Sequence, residues 1–146
     1  MRRNPESDQK KVEAARRYVQ TLSFTSLRLY SENPESKYAF ATEPSTLKMR
    51  ALVHDRTAMI VFGDPIATLI ASRMKRASIL RTVNYTPVDT CIEFYDWWKK
   101  SGTIYFHTGH GMITIGKEIF LLKSNDPLII SVKRVVQAKI PVKSRR

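Results

Sequence analysis

Three proline steps divide this chain: Asp64-Pro65, Thr86-Pro87 and Asp126-Pro127, each followed by an apolar run. A side-chain oxygen just before a proline suits the first turn of a helix, where the missing proline N–H costs nothing and the fixed φ is already helical. Each step therefore predicts a helix start. At the second, Thr86-Pro87-Val88-Asp89 has the form of a capping box with the shorter acid. Val88, Cys91, Ile92, Tyr95 and Trp98 follow at spacings of three and four, Lys99 and Lys100 suit the negative end of a helix dipole, and Gly102 closes the run. The pattern predicts a helix over residues 87 to 100.

The run after Pro65 turns Ile66, Leu69, Ile70, Met74 and Ala77 inward, with Arg73 and Arg76 outward and Lys75 at the flank. The run after Pro127 turns Leu128, Val132, Val135 and Val136 inward and Lys133, Arg134 and Gln137 outward, until Pro141 stops it. A further amphipathic helix is predicted from Asp8 to Leu22, where Val12, Ala15, Val19 and Leu22 form a stripe beside Lys10, Lys11, Arg16 and Arg17. Between these runs lie short β-rich segments: Ser26 to Tyr30, Tyr38 to Thr42, Leu47 to His54, Thr57 to Phe62, Thr103 to His107, Met112 to Ile115 and Glu118 to Lys123. Strands grouped between helices point to an α+β (mixed α/β) fold with mainly antiparallel strands, an N-terminal helix and three proline-started helices. The expected organisation is a single compact domain over 1–146, with flexible basic tails at about 1–7 and 141–146.

Charge bounds the partners. The 146 residues carry a net charge of +12, and it is unevenly spread: no acid lies between Pro65 and Val88, and none follows Asp126. Such a field gathers phosphates or anionic head groups and makes association salt-dependent. The bases singled out as a nucleic-acid grip are Arg73, Lys75, Arg76 and Arg81, then Lys133, Arg134 and Lys139, with Lys99 and Lys100 beside Trp97 and Trp98. Adjacent residues on a helix point about 100° apart, so one of the two tryptophans is expected to be part-exposed, able to stack a base or anchor a protein, or else to lie under the first helix. Cys91 is the only cysteine, which excludes an intrachain disulfide. No apolar run reaches the roughly 18 to 20 residues of a membrane span, and the start lacks the pattern of a secretory signal. The expectation is a reducing, intracellular setting, cytoplasmic or nuclear.

Catalytic motifs are incomplete. Gly111-Met112-Ile113-Thr114-Ile115-Gly116-Lys117 has the spacing of a phosphate-cradling loop, yet Glu118 stands where a serine or threonine would ligand magnesium, and the segment alternates like a hairpin. His107 and His110 flank a glycine turn, but with His54 the only other histidine a zinc site would need scattered acids, so no metal is expected. Cys91 is read as a small buried hydrophobe. No cofactor is expected.

The stretch Leu52-Val53-His54-Asp55-Arg56-Thr57-Ala58-Met59-Ile60-Val61-Phe62-Gly63-Asp64, with Cys91-Ile92-Glu93-Phe94-Tyr95-Asp96-Trp97-Trp98, resembles a phospholipase-D-like half-domain over the middle third of the chain. Arg56 stands at that family's lysine position, and Val61 where its aspartate is expected. The resemblance implies an inactive relative, such as the ligand-sensing or oligomerising domains attached to some transcription regulators. Two strands and an aromatic core helix account for the same letters. Three functional readings follow, in order: a non-enzymatic nucleic-acid-binding domain (RNA or DNA) gripping the phosphate backbone, a protein interaction or assembly module that pairs with a second copy or another protein, and a degenerate phosphodiesterase using His54 or His107.

Overall fold

The computed structural model describes residues 5–35 and 42–142. In chain order the elements are α1 (Pro5–Thr21), β1 (Ser26–Ser31), α2 (Pro44–Val53), β2 (Thr57–Ile60), α3 (Pro65–Lys75), β3 (Ile79–Val83), β4 (Thr90–Asp96), β5 (Lys99–His107), β6 (Met112–Ile115), β7 (Glu118–Leu122) and α4 (Pro127–Lys139). The seven strands form one sheet in the order β2-β1-β4-β5-β6-β7-β3, and every neighbouring pair is antiparallel. This is a single α+β domain, as the sequence predicts.

Alternation along the strands gives the sheet two unlike faces. Leu27 pairs with Phe94 and Leu29 with Ile92, Ile92 with Ile104, Phe106 with Ile113, and Ile113 with Phe120. These side chains form one buried cluster with Val12, Ala15 and Val19 of α1, Ala67, Ile70 and Met74 of α3, and Leu128, Val132 and Val135 of α4. Three helices therefore cover this face. Fully burying one such Leu, Ile or Phe contributes about 1.5 to 3 kcal/mol, so the cluster is the main source of stability. On the opposite face Tyr30 and Cys91 meet Leu47 and Ala51 of α2 in a smaller cluster, with Tyr105 against it.

Two of the three predicted starts hold. Asp64 accepts from the Ile66 N–H at 3.0 Å, and Asp126 accepts from the Leu128 N–H at 2.9 Å. Asp126 also accepts from the Ser78 N–H at 2.8 Å, so it joins the end of α3 to the start of α4. Leu69, expected inside, is exposed, while Ile70, Met74 and Ala77 are buried.

The third start does not hold. Residues 90–96 are strand β4, and no helix spans 87–100. The run Thr90-Cys91-Ile92-Glu93-Phe94-Tyr95 is rich in β-branched and aromatic residues and is buried on both faces, so its apolar positions are near-continuous and also satisfy a helical spacing. Pro44 instead opens a helix, α2. It replaces the strand expected over Leu47 to His54: Leu47 and Ala51, four apart, are its buried residues, and Leu, Lys, Met, Arg and Ala all favour helix. Of the strand expected over Tyr38 to Thr42, all but Thr42 lies outside the described residues. So do residues 1–4 and 143–146 of the expected tails; residues 5–7 belong to α1.

Gly102 on β5 has a specific reason. A Cβ there would run into the Tyr18 hydroxyl of α1, which instead accepts the Thr103 N–H at 3.2 Å. The glycine lets α1 lie directly on the sheet.

Candidate functional site

Most of the basic residues read from the sequence come together on the helix-covered side. Helices α1, α3 and α4 form one layer, with α3 packed against both others. α3 and α4 run antiparallel: Ser78, past the end of α3, bonds Asp126 at the start of α4, while Lys139 at the end of α4 lies 3.6 Å from Asp64 at the start of α3. With the apolar stripes turned to the sheet, Lys75, Arg76, Lys133 and Arg134 are left exposed on the outer side and Arg73 half-exposed. None of these five makes an ion pair among the described residues. Arg16 and Arg17 of α1 are exposed in the same layer, and Arg16 donates to the Ile79 carbonyl at 2.8 Å. Lys139 is partly neutralised by Asp64.

Three of the predicted grip residues fall elsewhere. Arg81 pairs with Leu121, which alternates with the core residues Phe120 and Leu122, so Arg81 points away from the helix layer. Lys99 and Lys100 open strand β5 and do not close a helix. Lys100 is drawn to Glu93, 3.1 Å away.

Glu93 organises the other face. It is 2 % exposed, yet its carboxylate receives Lys48 at 2.7 Å, Lys100 at 3.1 Å and the Tyr30 hydroxyl at 2.6 Å. Burial alone would push this carboxyl up; the hydrogen bonds from Lys48, Tyr30 and Lys100 outweigh it and hold it at about 2, against an ordinary 4.5. Burial and the same bond push the Tyr30 phenol to about 12. Glu32 is handled likewise: burial opposes its charge, but Arg50 at 2.7 and 3.1 Å and the Thr42 hydroxyl at 2.7 Å lower its pKa. Lys48, Lys100 and Arg50 are thus matched to carboxylates inside the fold.

A cavity of about 390 Å³ opens where β1 and β5 end and β4 begins, beneath the last turns of α4. Its walls include Arg56, Asp89, His107, Lys133, Val136 and Ile140. Arg56 is buried just before β2; Nη1 donates to the carbonyls of Ile140 at 3.1 Å and Pro141 at 3.4 Å, and burial lowers its pKa while the charge of Glu32 opposes that. Asp89 accepts the Thr108 N–H at 2.8 Å and the hydroxyls of Thr90 and Thr108. The sequence offered Arg56 only as a mismatched catalytic lysine; nothing in its neighbours signals a buried guanidinium.

Two of the three histidines come together. His107 and His110 stack at 4.4 Å between centroids, with Tyr85 edge-on to both. The His107 Nδ1 accepts the His110 N–H at 3.1 Å, and burial lowers the pKa of His107 despite Asp89 nearby. His54 is exposed at the end of α2, where the strand of the phospholipase-D-like pattern would stand. Among the described residues no group of three or more His, Cys, Asp or Glu is arranged to hold a metal. Cys91 is buried, and burial pushes its thiol to about 12. The loop of phosphate-cradle spacing is the β6–β7 hairpin, with Gly116 at φ 61°.

Both tryptophans are exposed, not one. Trp97 and Trp98 form the turn between β4 and β5, Trp98 is 90 % exposed, and Phe62 lies 5.0 Å from the Trp97 ring. Trp97 has φ 59°, a left-handed backbone that glycine ordinarily occupies. Among the described residues no helix is long and apolar enough to cross a membrane. No family model, curated protein or solved structure matches the chain.

Proposed function

We propose that the protein is a non-enzymatic nucleic-acid-binding domain that grips the phosphate backbone through the outer side of α1, α3 and α4. One observation carries this reading: Arg73, Lys75, Arg76, Lys133 and Arg134 share one helix layer without ion pairs among the described residues, while the most buried carboxylates are consumed inside the fold. Cations left without carboxylates are the ones that exchange counterions for phosphates. The sequence carries no helix-turn-helix, zinc-finger or RNA-recognition signature, so the expected binding is of the backbone with modest sequence preference. A salt titration against single- and double-stranded DNA and RNA tests it. Binding should be measurable at low salt and fall steeply towards physiological salt; no binding at low salt to any of the four refutes it.

A second reading, assembly with another copy or a protein partner, is favoured by a different feature. Strand β2 is an edge of the sheet, and Met59, Val61, Phe62 and Trp97 are exposed on and beside it. Unpaired edges with apolar side chains are sites of strand addition. Sedimentation at rising concentration separates the two: a dimer that disappears in Phe62→Lys supports assembly, and a monomer at all concentrations argues against self-association.

A further inference from the structure

Asp96 pairs with Lys99, so the turn between β4 and β5 is a two-residue loop, Trp97-Trp98. Trp97 has a positive φ, 59°, and Trp98 does not. In hairpin loops of that pattern the first position favours glycine, because a Cβ there crowds the backbone. A tryptophan is the bulkiest choice, and the core does not account for it: Trp97 is 60 % exposed and Trp98 90 %. Phe62, also exposed, has its ring 5.0 Å from that of Trp97 and 33° from parallel. Three aromatic rings thus stand in solvent at one end of the sheet. A strained backbone that displays side chains outward is a mark of ligand sites.

The surroundings favour nucleobases. Lys99 and Arg28 are exposed near the turn, Arg28 over the Tyr95 ring at 5.3 Å, and neither makes an ion pair among the described residues. Phe62 stands two residues before Asp64, which caps α3 and lies 3.6 Å from Lys139 of α4, so the rings adjoin one end of the basic helix layer. From Pro65 to Arg73 the helix runs about 12 Å at 1.5 Å per residue, the length of about four stacked nucleotides at ~3.4 Å each. One short strand can therefore reach both the rings and the bases of α3. A duplex keeps its nucleobases inside and offers the rings no face to stack on. Insertion into a bilayer would carry the Asp96 carboxylate, exposed next to Trp97, towards anionic head groups and hydrocarbon, whereas stacking covers only the rings.

We propose that the partner of the basic helix layer is single-stranded nucleic acid, whose unpaired bases stack on Trp98 and on the Phe62–Trp97 pair. This rests on the phosphate-gripping reading and adds the class of partner to it. Every base has a π-face, so stacking of this kind suits a backbone grip of modest sequence preference.

Trp97 and Trp98 are the only tryptophans, so the tryptophan fluorescence of the full chain reports this turn alone. The probes are an oligothymidylate of about 12 nucleotides, an abasic oligomer and a blunt duplex of the same length, and vesicles of phosphatidylcholine with phosphatidylserine. Affinity for each nucleic acid is read separately, from the anisotropy of an end label. The oligothymidylate should quench the emission saturably and bind about tenfold or more tightly than the abasic oligomer, which has the phosphates without the bases. Trp98→Ala and Trp98→Leu should each weaken the oligothymidylate about tenfold, while Trp98→Phe, which keeps a ring, should retain most of the affinity. At so exposed a position none of the three disturbs folding. If no nucleic acid binds at low salt, the phosphate grip fails and this inference with it. The grip stands and the stacking is overturned if the abasic oligomer binds as tightly as the oligothymidylate, if the oligothymidylate binds without quenching, if the duplex alone binds or quenches as strongly, or if Trp98→Leu binds like Trp98→Phe. A blue shift of the emission with vesicles and no change with oligothymidylate would also overturn it, and would make the turn a membrane contact.

Discussion

The two faces of the sheet treat charge in opposite ways. On the α2 side, Lys48 and Lys100 converge on Glu93 and Arg50 converges on Glu32, so these three cations serve as internal counter-charges, while Arg81 stays exposed and unpaired among the described residues. On the α1, α3 and α4 side the interior is hydrocarbon, and the bases stand outside it with few acids to meet them. A sequence net charge of +12 is thus not smeared over the molecule. Folding withdraws several carboxylates from solvent on one side and leaves cations available on the other. That difference decides which lysines are structural and which are free to bind.

The sharpest way to break the comparison is to remove Glu93. Glu93→Ala leaves the Tyr30 hydroxyl without its acceptor and two lysines without their anion, and should cost about 3 kcal/mol in chemical denaturation. The pH dependence follows from the same site. The folded pKa of about 2 lies below the ordinary 4.5, so the stabilisation is complete above about 4.5 and is lost as pH falls towards 2. Glu93→Gln should flatten stability across that window; an unchanged acid limb would show that the carboxylate is not held as described.

Asp126 and Asp64 are smaller versions of the same use of acid. Asp126→Ala loses two backbone N–H partners at a buried position and should cost about 2 kcal/mol, whereas Asp64→Ala loses one and should cost about 1 kcal/mol. Thr86→Ala should stay within about 0.5 kcal/mol, because Thr86 is exposed and precedes a strand. Equal costs for all three would contradict this ordering of the caps.

These three threonine and aspartate positions also show how far the sequence could be read. Asp64-Pro65 and Asp126-Pro127 are local signals, complete within four residues, and local signals were enough for α3 and α4. At Thr86-Pro87 the same grammar misled, because a strand buried on both faces carries no alternation to set against a helical spacing. Whether Val88 to Tyr95 is helix or strand is decided by β1, which lies far away in sequence, and by the hairpin with β5 on the other side. The basic faces of the single helices were legible because amphipathic helices state which side is wet, whereas their gathering into one layer depends on how α1, α3 and α4 pack. That Arg81, Lys99 and Lys100 stand on strands apart from the helix layer depends on strand pairing, and the burial of Arg56 depends on the end of α4, 84 residues further on.

The smallest expected effect concerns the β4–β5 turn. Trp97→Gly relieves a left-handed backbone but loses the contact with Phe62, so the two changes should nearly cancel and stability should move by less than about 1 kcal/mol. A loss of several kcal/mol would make the exposed tryptophan a core residue and move the boundary between the two faces.

The salt dependence of binding tests the division between structural and available cations most directly. Lys133→Ala with Arg134→Ala removes two charges without ion pairs among the described residues, and Lys99→Ala with Lys100→Ala removes two from the β4–β5 hairpin; the helix pair should leave stability nearly unchanged. For duplex DNA, the log–log slope of affinity against salt should become shallower by about 2 in the helix pair and remain unchanged in the hairpin pair. Equal slopes for both pairs and the parent, or a larger change in the hairpin pair, would contradict the assignment of the basic helix layer as the binding face.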